Sequence, residues 1–384
     1  MYLSTLSSIR CLDCKGVLEL RSASEKQGED ILYGEVACSE CEGPRSSYPI
    51  LAGVLLYVGD GETALIRHMK GIMALVPDQK IPERYRDVYL EARESLAEDG
   101  FFDEGLEEDL EAERVTSLYV MNHYLKADQV PETGNPVMDE LVAKLWDHGP
   151  LEKTAQCILK KGVRRVLELG SSVGGLAQRL PELESYLGVD ASFASVALAR
   201  HLALGASYPK TIRIPGDLIQ GAVSITPRLP DPAWRGRSGA DFILGDLREL
   251  SLVSGFFDGT VALGLIDMLE EPVTLVRLQH EILSALPSGP SGPSRSSPGW
   301  AVQASPYIWH EPVARALREG AQRQGLELST LSSAQAIQAL YREGGFDLDE
   351  SLEALTWVFF KHRRQIELYA VHWSVHWSGH KCEP

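Results

Sequence analysis

The chain has 384 residues, of which 44% are hydrophobic and 24% charged. That is the balance of a soluble globular protein with one large domain and additions, or with two to three domains. The formal net charge of −17 disfavours a protein that grips a nucleic-acid backbone through a basic face. No apolar run approaches the roughly 18 residues of a membrane span, and the N-terminus lacks a charged region leading into an apolar core. No membrane partner is therefore expected, and a cytoplasmic location is.

The first motif is a pair of cysteine knuckles, Cys11 and Cys14 in CLDC, then Cys38 and Cys41 in CSEC. Each sets two thiolates one tight turn apart, where both reach one ion, and together they supply the four sulfurs of a closed tetrahedral zinc site. Disulfides are the alternative, disfavoured without a secretion signal; a lone redox CxxC would need no matching pair. Four protein ligands leave no position open for substrate or water, so a structural Zn2+ is expected, supplying much of the folding energy of a segment with little core. The stretches IRCLDCKGVLEL and YGEVACSECEGPRSSYPILAGVLLYV resemble, over about residues 8–58, the small zinc-ribbon family that serves as an activating subunit of tRNA and release-factor methyltransferases. The resemblance implies a ribbon over residues 1–58 that packs on a catalytic domain or helps admit substrate. Of the remaining cysteines, Cys157 sits among apolar helical positions and reads as core, while Cys382 stands alone.

Residues 59–160 read as helical, with apolar residues three and four apart in ETALIRHMKGIMALV and ERVTSLYVMNHYL. The acidic run 97–114 reads as a solvated helix face. KADQVPETGNP is a turn-rich break before VMDELVAKLWDHGPLEKTAQCILKKG.

From residue 163 short apolar strands alternate with helices, the pattern of an α/β, Rossmann-like, mostly parallel sheet with helices on both faces, over residues 161–384. RRVLELG reads as a strand, GGLAQRLPEL as a helix, SYLGVDAS as a strand and SVALARHLALG as a helix. ADFILGDL and DGTVALGLIDML read as strands, EPVTLVRLQHEILSALPSG as a helix and GWAVQASPY as a strand. Residues 205–239 read as an insertion and 288–299 as a mobile surface loop. The tail WVFFKHRRQIELYAVHWSVHWSGH reads as two strands. In the second, Val371, Trp373, Val375 and Trp377 form an apolar face, and His372, Ser374 and His376 a polar one, with a histidine metal site as the alternative for that polar face.

VLELGSSVGGLAQRL holds the candidate ligand turn. A dinucleotide turn carries glycines at positions one, three and six, but here Ser172 stands at position three, after Gly170 and Ser171 and before Gly174. A ligand without phosphates tolerates that better than a pyrophosphate does. Glu168 ends the first strand. Asp190, followed by Ala191, ends the second, where a carboxylate can take both ribose hydroxyls. Asp246, followed by Leu247, ends the third, where an acid can accept from an adenine amino group. Three acids at strand ends suit a cofactor carrying a sulfonium and an ammonium.

In the order and spacing of these motifs, residues 160–384 resemble the class I methyltransferases that use S-adenosyl-L-methionine (SAM). The resemblance implies that Glu168, Gly170, Ser171, Ser172, Gly174, Asp190, Ala191, Asp246 and Leu247 line the cofactor, with Leu265, Ile266 and Asp267 nearby. ASPYIWHEP and FFKHRRQIELY resemble a subset that methylates small molecules or peptides, including the mercaptohistidine methyltransferases of ovothiol biosynthesis.

Methyl transfer needs mainly a well-placed acceptor, and a base only if the acceptor must lose a proton. Candidate acceptor or catalytic groups are His123 and Tyr124, with Tyr119 and Asn122, on a helix able to cover the site; beyond a strand end stand Tyr307 and His310, with Trp309. The alternatives are aromatic packing at both places, a catalytically inactive scaffold or activating subunit, an RNA methyltransferase reached through a local basic patch, and an NAD-dependent oxidoreductase. The last suffers from Ser172.

Overall fold

The computed structural model describes residues 1–43, 45–98, 117–146, 149–180, 182–204, 239–284, 299–362 and 364–378. The acidic run 97–114, the insertion 205–239 and the loop 288–299 fall outside these residues except at their ends, and Cys382 lies outside them.

The cysteine-bearing segment is an antiparallel meander of β1 (Leu18–Gln27), β2 (Asp30–Cys38), β3 (Ser47–Leu51) and β4 (Val54–Tyr57). Helices follow: α1 (Gly61–Arg67), α2 (Met69–Leu75), α3 (Glu83–Glu98), α4 (117–124), α5 (Pro136–Leu145) and α6 (Gly149–Lys160). Asp60 caps α1 by accepting the Thr63 N–H, and Asn135 caps α5 ahead of Pro136. The α/β part contains β5 (Arg165–Leu169), β6 (Ser185–Asp190), α7 (Phe193–Ala203), β7 (Ala240–Gly245), β8 (Gly259–Leu263), α8 (Pro272–Leu283), β9 (Gly299–Ser305), α9 (Glu311–Arg323), α10 (Ser333–Glu343), β10 (Phe346–His362) and β11 (Gln365–Ser378).

The described strands form one 11-stranded sheet in the order β1-β2-β3-β4-β7-β6-β5-β8-β9-β11-β10. From β7 to β9 neighbours are parallel, and β11 runs antiparallel beside β9. This order, with an antiparallel strand inserted next to the last parallel one, is that of the class I methyltransferase fold. Side chains alternate between two cores. Val166, Phe242, Val261 and Val302 pack with α6 and α7, whereas Leu167, Ile243 and Ala301 pack with α8 and α10.

The meander is not a separate bead. Its strand β4 pairs in parallel with β7, Leu56 opposite Leu244 and Tyr57 opposite Gly245. The buried Tyr57 hydroxyl donates to the Arg10 carbonyl (2.5 Å) and accepts the Ser251 N–H (3.2 Å). Arg200 of α7, 3% exposed, donates to the Gly53 carbonyl at 2.9 Å and pairs with Asp30 and with Asp241. A buried guanidinium is tolerable only with such complete partnering.

Three sequence expectations need correction or completion. The helix expected over GGLAQRLPEL is a single 3-10 turn, Ala177–Arg179. Fewer than two turns separate Gly174, whose φ is 76°, from Leu180, which precedes Pro181 and is thereby steered out of helical backbone. The polar face of β11 does not meet solvent: His372, Ser374 and His376 are all buried, with His376 stacked on Tyr341 of α10 at 4.0 Å. The last strand pair begins at Phe346, well before the WVFF stretch, so β10 and β11 form a long arm whose turn end projects beyond β9. Among the described residues no helix is long and apolar enough to cross a membrane.

Candidate cofactor site and four-cysteine centre

The two knuckles converge. Cys11 and Cys41 Sγ lie 3.7 Å apart, Cys14 and Cys38 Sγ lie 3.4 Å apart, and all four lie within 4.8 Å of one another. Zinc–sulfur bonds of about 2.3 Å in a tetrahedron imply a sulfur–sulfur edge of about 3.8 Å, so the set fits one tetrahedral ion. The backbone N–H groups of Gly16 and Glu40 donate to Cys14 and Cys38 Sγ, both at 3.3 Å, which stabilises thiolates. Among the described residues this is the one group with metal-site geometry; the histidines of β11 do not form another.

The glycine turn folds onto the end of β6. The Gly170 N–H donates to the Val189 carbonyl at 2.8 Å, and the Ser172 N–H to Asp190 Oδ2 at 2.8 Å. Gly170, Ser172 and Gly174 all have left-handed backbone, with φ of 75°, 47° and 76°, so serine keeps the conformation of the missing middle glycine. At Gly174 a Cβ would lie 2.8 Å from the Phe242 ring and 3.0 Å from Ala199. Glycine there is required by packing as well as by φ.

Asp190 Oδ1 also accepts the Ser192 N–H at 2.9 Å, while burial pushes its carboxyl up. Beneath the turn, Glu168 is buried and accepts the Tyr186 hydroxyl, and burial pushes Glu168 up to about 8. Ser171 Oγ is buried with no protein partner, and Ala191 is exposed at the rim.

The other candidate cofactor residues line the same C-terminal edge of the parallel strands. Asp246, after β7, accepts the Arg248 N–H at 2.9 Å and pairs with its guanidinium, which holds the carboxyl below its ordinary range. Leu247 beside it is half-buried. After β8, Leu265 packs against Gly170, Ile266 is buried, and Asp267 Oδ2 accepts the Ile308 N–H at 2.9 Å.

Helix α4 lies across the turn. The Tyr124 hydroxyl donates to the Val173 carbonyl at 2.5 Å, and the His123 ring sits 2.7 Å from where a Gly175 Cβ would stand. Arg179, which sequence reasoning missed, ties the two by donating to the carbonyls of Gly175 (2.5 Å) and His123 (3.1 Å). Asn122 is structural: its amide accepts the Phe360 N–H (2.8 Å) and donates to the Phe360 carbonyl (3.1 Å), closing the edge of β10. Tyr119 reaches the Phe359 ring edge-on at 5.8 Å.

Tyr307 and His310 are not brought together. His310 is exposed at the start of α9, and the histidine that meets the Tyr307 hydroxyl is His372, whose Nδ1 lies 2.5 Å from it. The hydroxyl also accepts from Gln303 Nε2 at 3.0 Å, and His372 Nε2 meets Ser351 Oγ at 2.8 Å. The hydroxyl is therefore turned inward, while its ring stacks on Trp309 at 5.1 Å. The alternation in VHWSVHW was the one sequence signal for His372, and it did not say what would cover that face.

No family model and no curated protein matches the chain in sequence. Among solved structures, a chain from the complex of the Haloferax volcanii Trm112 methyltransferase activator is 12% identical; the match covers 65% of this chain and 96% of that one, with a TM-score of 0.36. The magnesium protoporphyrin IX methyltransferase of Synechocystis PCC 6803, solved with bound S-adenosylhomocysteine (SAH), is 12% identical over 74% of this chain and 100% of that one, with a TM-score of 0.37. The YcgJ protein of Bacillus subtilis is 13% identical over 59% and 96%, with a TM-score of 0.36. Likenesses of this size carry no weight for activity, and the fold rests on the strand order itself.

Proposed function

We propose that the chain is a SAM-dependent methyltransferase acting on a small-molecule or peptide acceptor, with a structural zinc ribbon (residues 1–58) in cis, a helical covering segment (59–160) and a catalytic domain (161–384). The observation that carries this is the gathering of the Gly170–Gly174 turn, Asp190 and Asp246 on the ends of three adjacent parallel strands, where open α/β sheets bind ligands. The donor set supports the cofactor: Asp190 keeps an accepting lone pair on each oxygen for ribose hydroxyls, the buried Ser171 Oγ lacks a partner, and Asp246, whose Oδ2 accepts only from the Arg248 guanidinium, is assigned the adenine amino group. When bound, SAM supplies an activated methyl group. The chain's own part is to orient and to exclude water. His123 and Tyr124 cover the turn, and Tyr307 with Trp309 borders the far side of the edge.

Calorimetric titration with SAM, SAH and NAD tests the reading. Micromolar binding of SAM and SAH but not NAD, lost in Asp190→Ala, supports it. A folded, zinc-loaded chain that takes up neither sinks it. One observation favours the non-catalytic scaffold as second reading: α4 already packs its side chains onto the turn, and no full helix follows the turn to present free N–H groups to a ligand. The same titration separates the two.

A further inference from the structure

Asp267 is 4% exposed, and its two carboxylate oxygens differ. Oδ2 accepts the Ile308 N–H, while Oδ1 is buried without a hydrogen-bond partner. Among the described residues no lysine, arginine or histidine forms an ion pair with it. A carboxylate so placed carries an uncompensated desolvation cost that a cationic donor would remove.

A chain neighbour and the hydrogen-bond partner nevertheless reach the surface. The residues on either side of the Asp267–Ile308 bond, Met268 and Ile308 itself, are 75% and 62% exposed. Next to Ile308 in the chain stand two aromatic rings, Tyr307 stacked on Trp309. Apolar rim, aromatic faces and one unpaired carboxylate together favour an organic ammonium ion.

The segment that aims Asp267 is held rigidly. Tyr307 has φ of 61°, a costly conformation for a bulky residue, kept by its N–H bond to Ser305 Oγ (3.0 Å) and by the hydroxyl's bonds to His372 and Gln303. This fixes the Ile308 N–H that orients the carboxylate. The acids assigned above to adenosine, Asp246 and Asp190, stand on β7 and β6, across β5 from Asp267. Neighbouring strands are about 4.8 Å apart, so the β8 and β9 ends lie beyond the glycine turn, on the side left for an acceptor.

We propose that Asp267 Oδ1 anchors the methyl acceptor and that the acceptor is an amine on an apolar or aromatic body, bound as its ammonium ion. The proposal rests on the methyltransferase reading. It gives Asp267 to the acceptor instead of the cofactor, and makes Tyr307, His372 and Gln303 positioning residues. The ammonium must lose a proton before its nitrogen can act as a nucleophile; the N–H bond breaks as an O–H bond forms at Oδ1.

The test is calorimetry with benzylamine and its neutral counterpart benzyl alcohol, on the full chain with and without saturating SAH. The expected result is benzylamine binding at least about tenfold tighter than benzyl alcohol, a preference abolished in Asp267→Asn while SAH affinity stays within about twofold. Tyr307→Phe, which keeps the ring, is expected to weaken benzylamine about three- to tenfold with SAH unchanged. Equal binding of the two probes, no benzylamine binding, or an Asp267→Asn chain that loses SAH but keeps benzylamine overturns the proposal. A chain that takes no SAH removes the methyltransferase reading instead; benzylamine without SAH then decides the amine site alone, with binding lost in Asp267→Asn upholding it and no binding overturning it.

Discussion

Ser172 donates its backbone N–H to the Asp190 carboxylate at 2.8 Å from left-handed backbone, φ 47°. The turn thus achieves with serine the geometry that a glycine would reach without strain, and the same bond presents the carboxylate at the end of β6.

The first prediction concerns that strain. A non-glycine residue in this region costs roughly 1–2 kcal/mol, and glycine returns part of it as unfolded-state entropy. Ser172→Gly is expected to raise stability by about 0.5 kcal/mol without weakening SAM binding, read from urea midpoints and calorimetry. A clear loss of stability would show that the serine side chain contributes a contact that outweighs the strain.

On the proposed zinc reading, losing the metal should damage more than the cysteine-bearing meander. Cys11 is buried, and the strand that leaves the ribbon, β4, pairs directly with β7. Cys11→Ser is expected to release about one zinc per chain to a chromophoric chelator and to cost more than about 3 kcal/mol. Loss of amide-exchange protection should spread into Leu244 and Gly245; protection confined to its parent values there would mean that the sheet holds without the ribbon.

Glu168 gives stability a pH slope. Burial pushes its carboxyl from 4.5 up to about 8, against the opposing hydrogen bond from Tyr186. The folded chain therefore holds a proton that the unfolded chain has released, so stability falls as pH rises between about 4.5 and 8. Glu168→Gln should remove this slope, matching the parent near the lower limit and exceeding it at the upper one. Parallel pH profiles of the two chains would rule the assignment out.

His376 acts in the opposite sense. Burial, and next the charge of His372, push it down from 6.5 to about 3. The folded chain resists protonation, so its contribution is full above 6.5 and is lost as pH falls toward 3. In His376→Gln the acid limb of the stability profile is expected to flatten, as measured by thermal melts from neutral pH downward.

Asn122 closes the β10 edge through both amide atoms, so Asn122→Ala leaves the Phe360 N–H and carbonyl unpaired. A loss of about 2 kcal/mol is expected, with faster exchange of the Phe360 amide. Because α4 carries His123 and Tyr124 over the glycine turn, SAM binding should weaken in the same variant.

What the sequence by itself determined was whatever is local in the chain. CLDC and CSEC each present two sulfurs on one tight turn, β5 to β9 announce themselves as short apolar runs, and strand-end acids keep their spacing from Gly170. The helix after Gly174 failed because Pro181 left too short a stretch, a local fact outweighed in the sequence by apolar spacing.

Tertiary structure alone decided the rest. It joined β4 to β7, buried the polar face of β11 under Tyr341, turned Tyr307 inward to His372 rather than to His310, and left one oxygen of Asp267 without a partner. Each of these depends on residues far apart in the chain, and periodicity reports which side chains share a face, not which distant element will cover it.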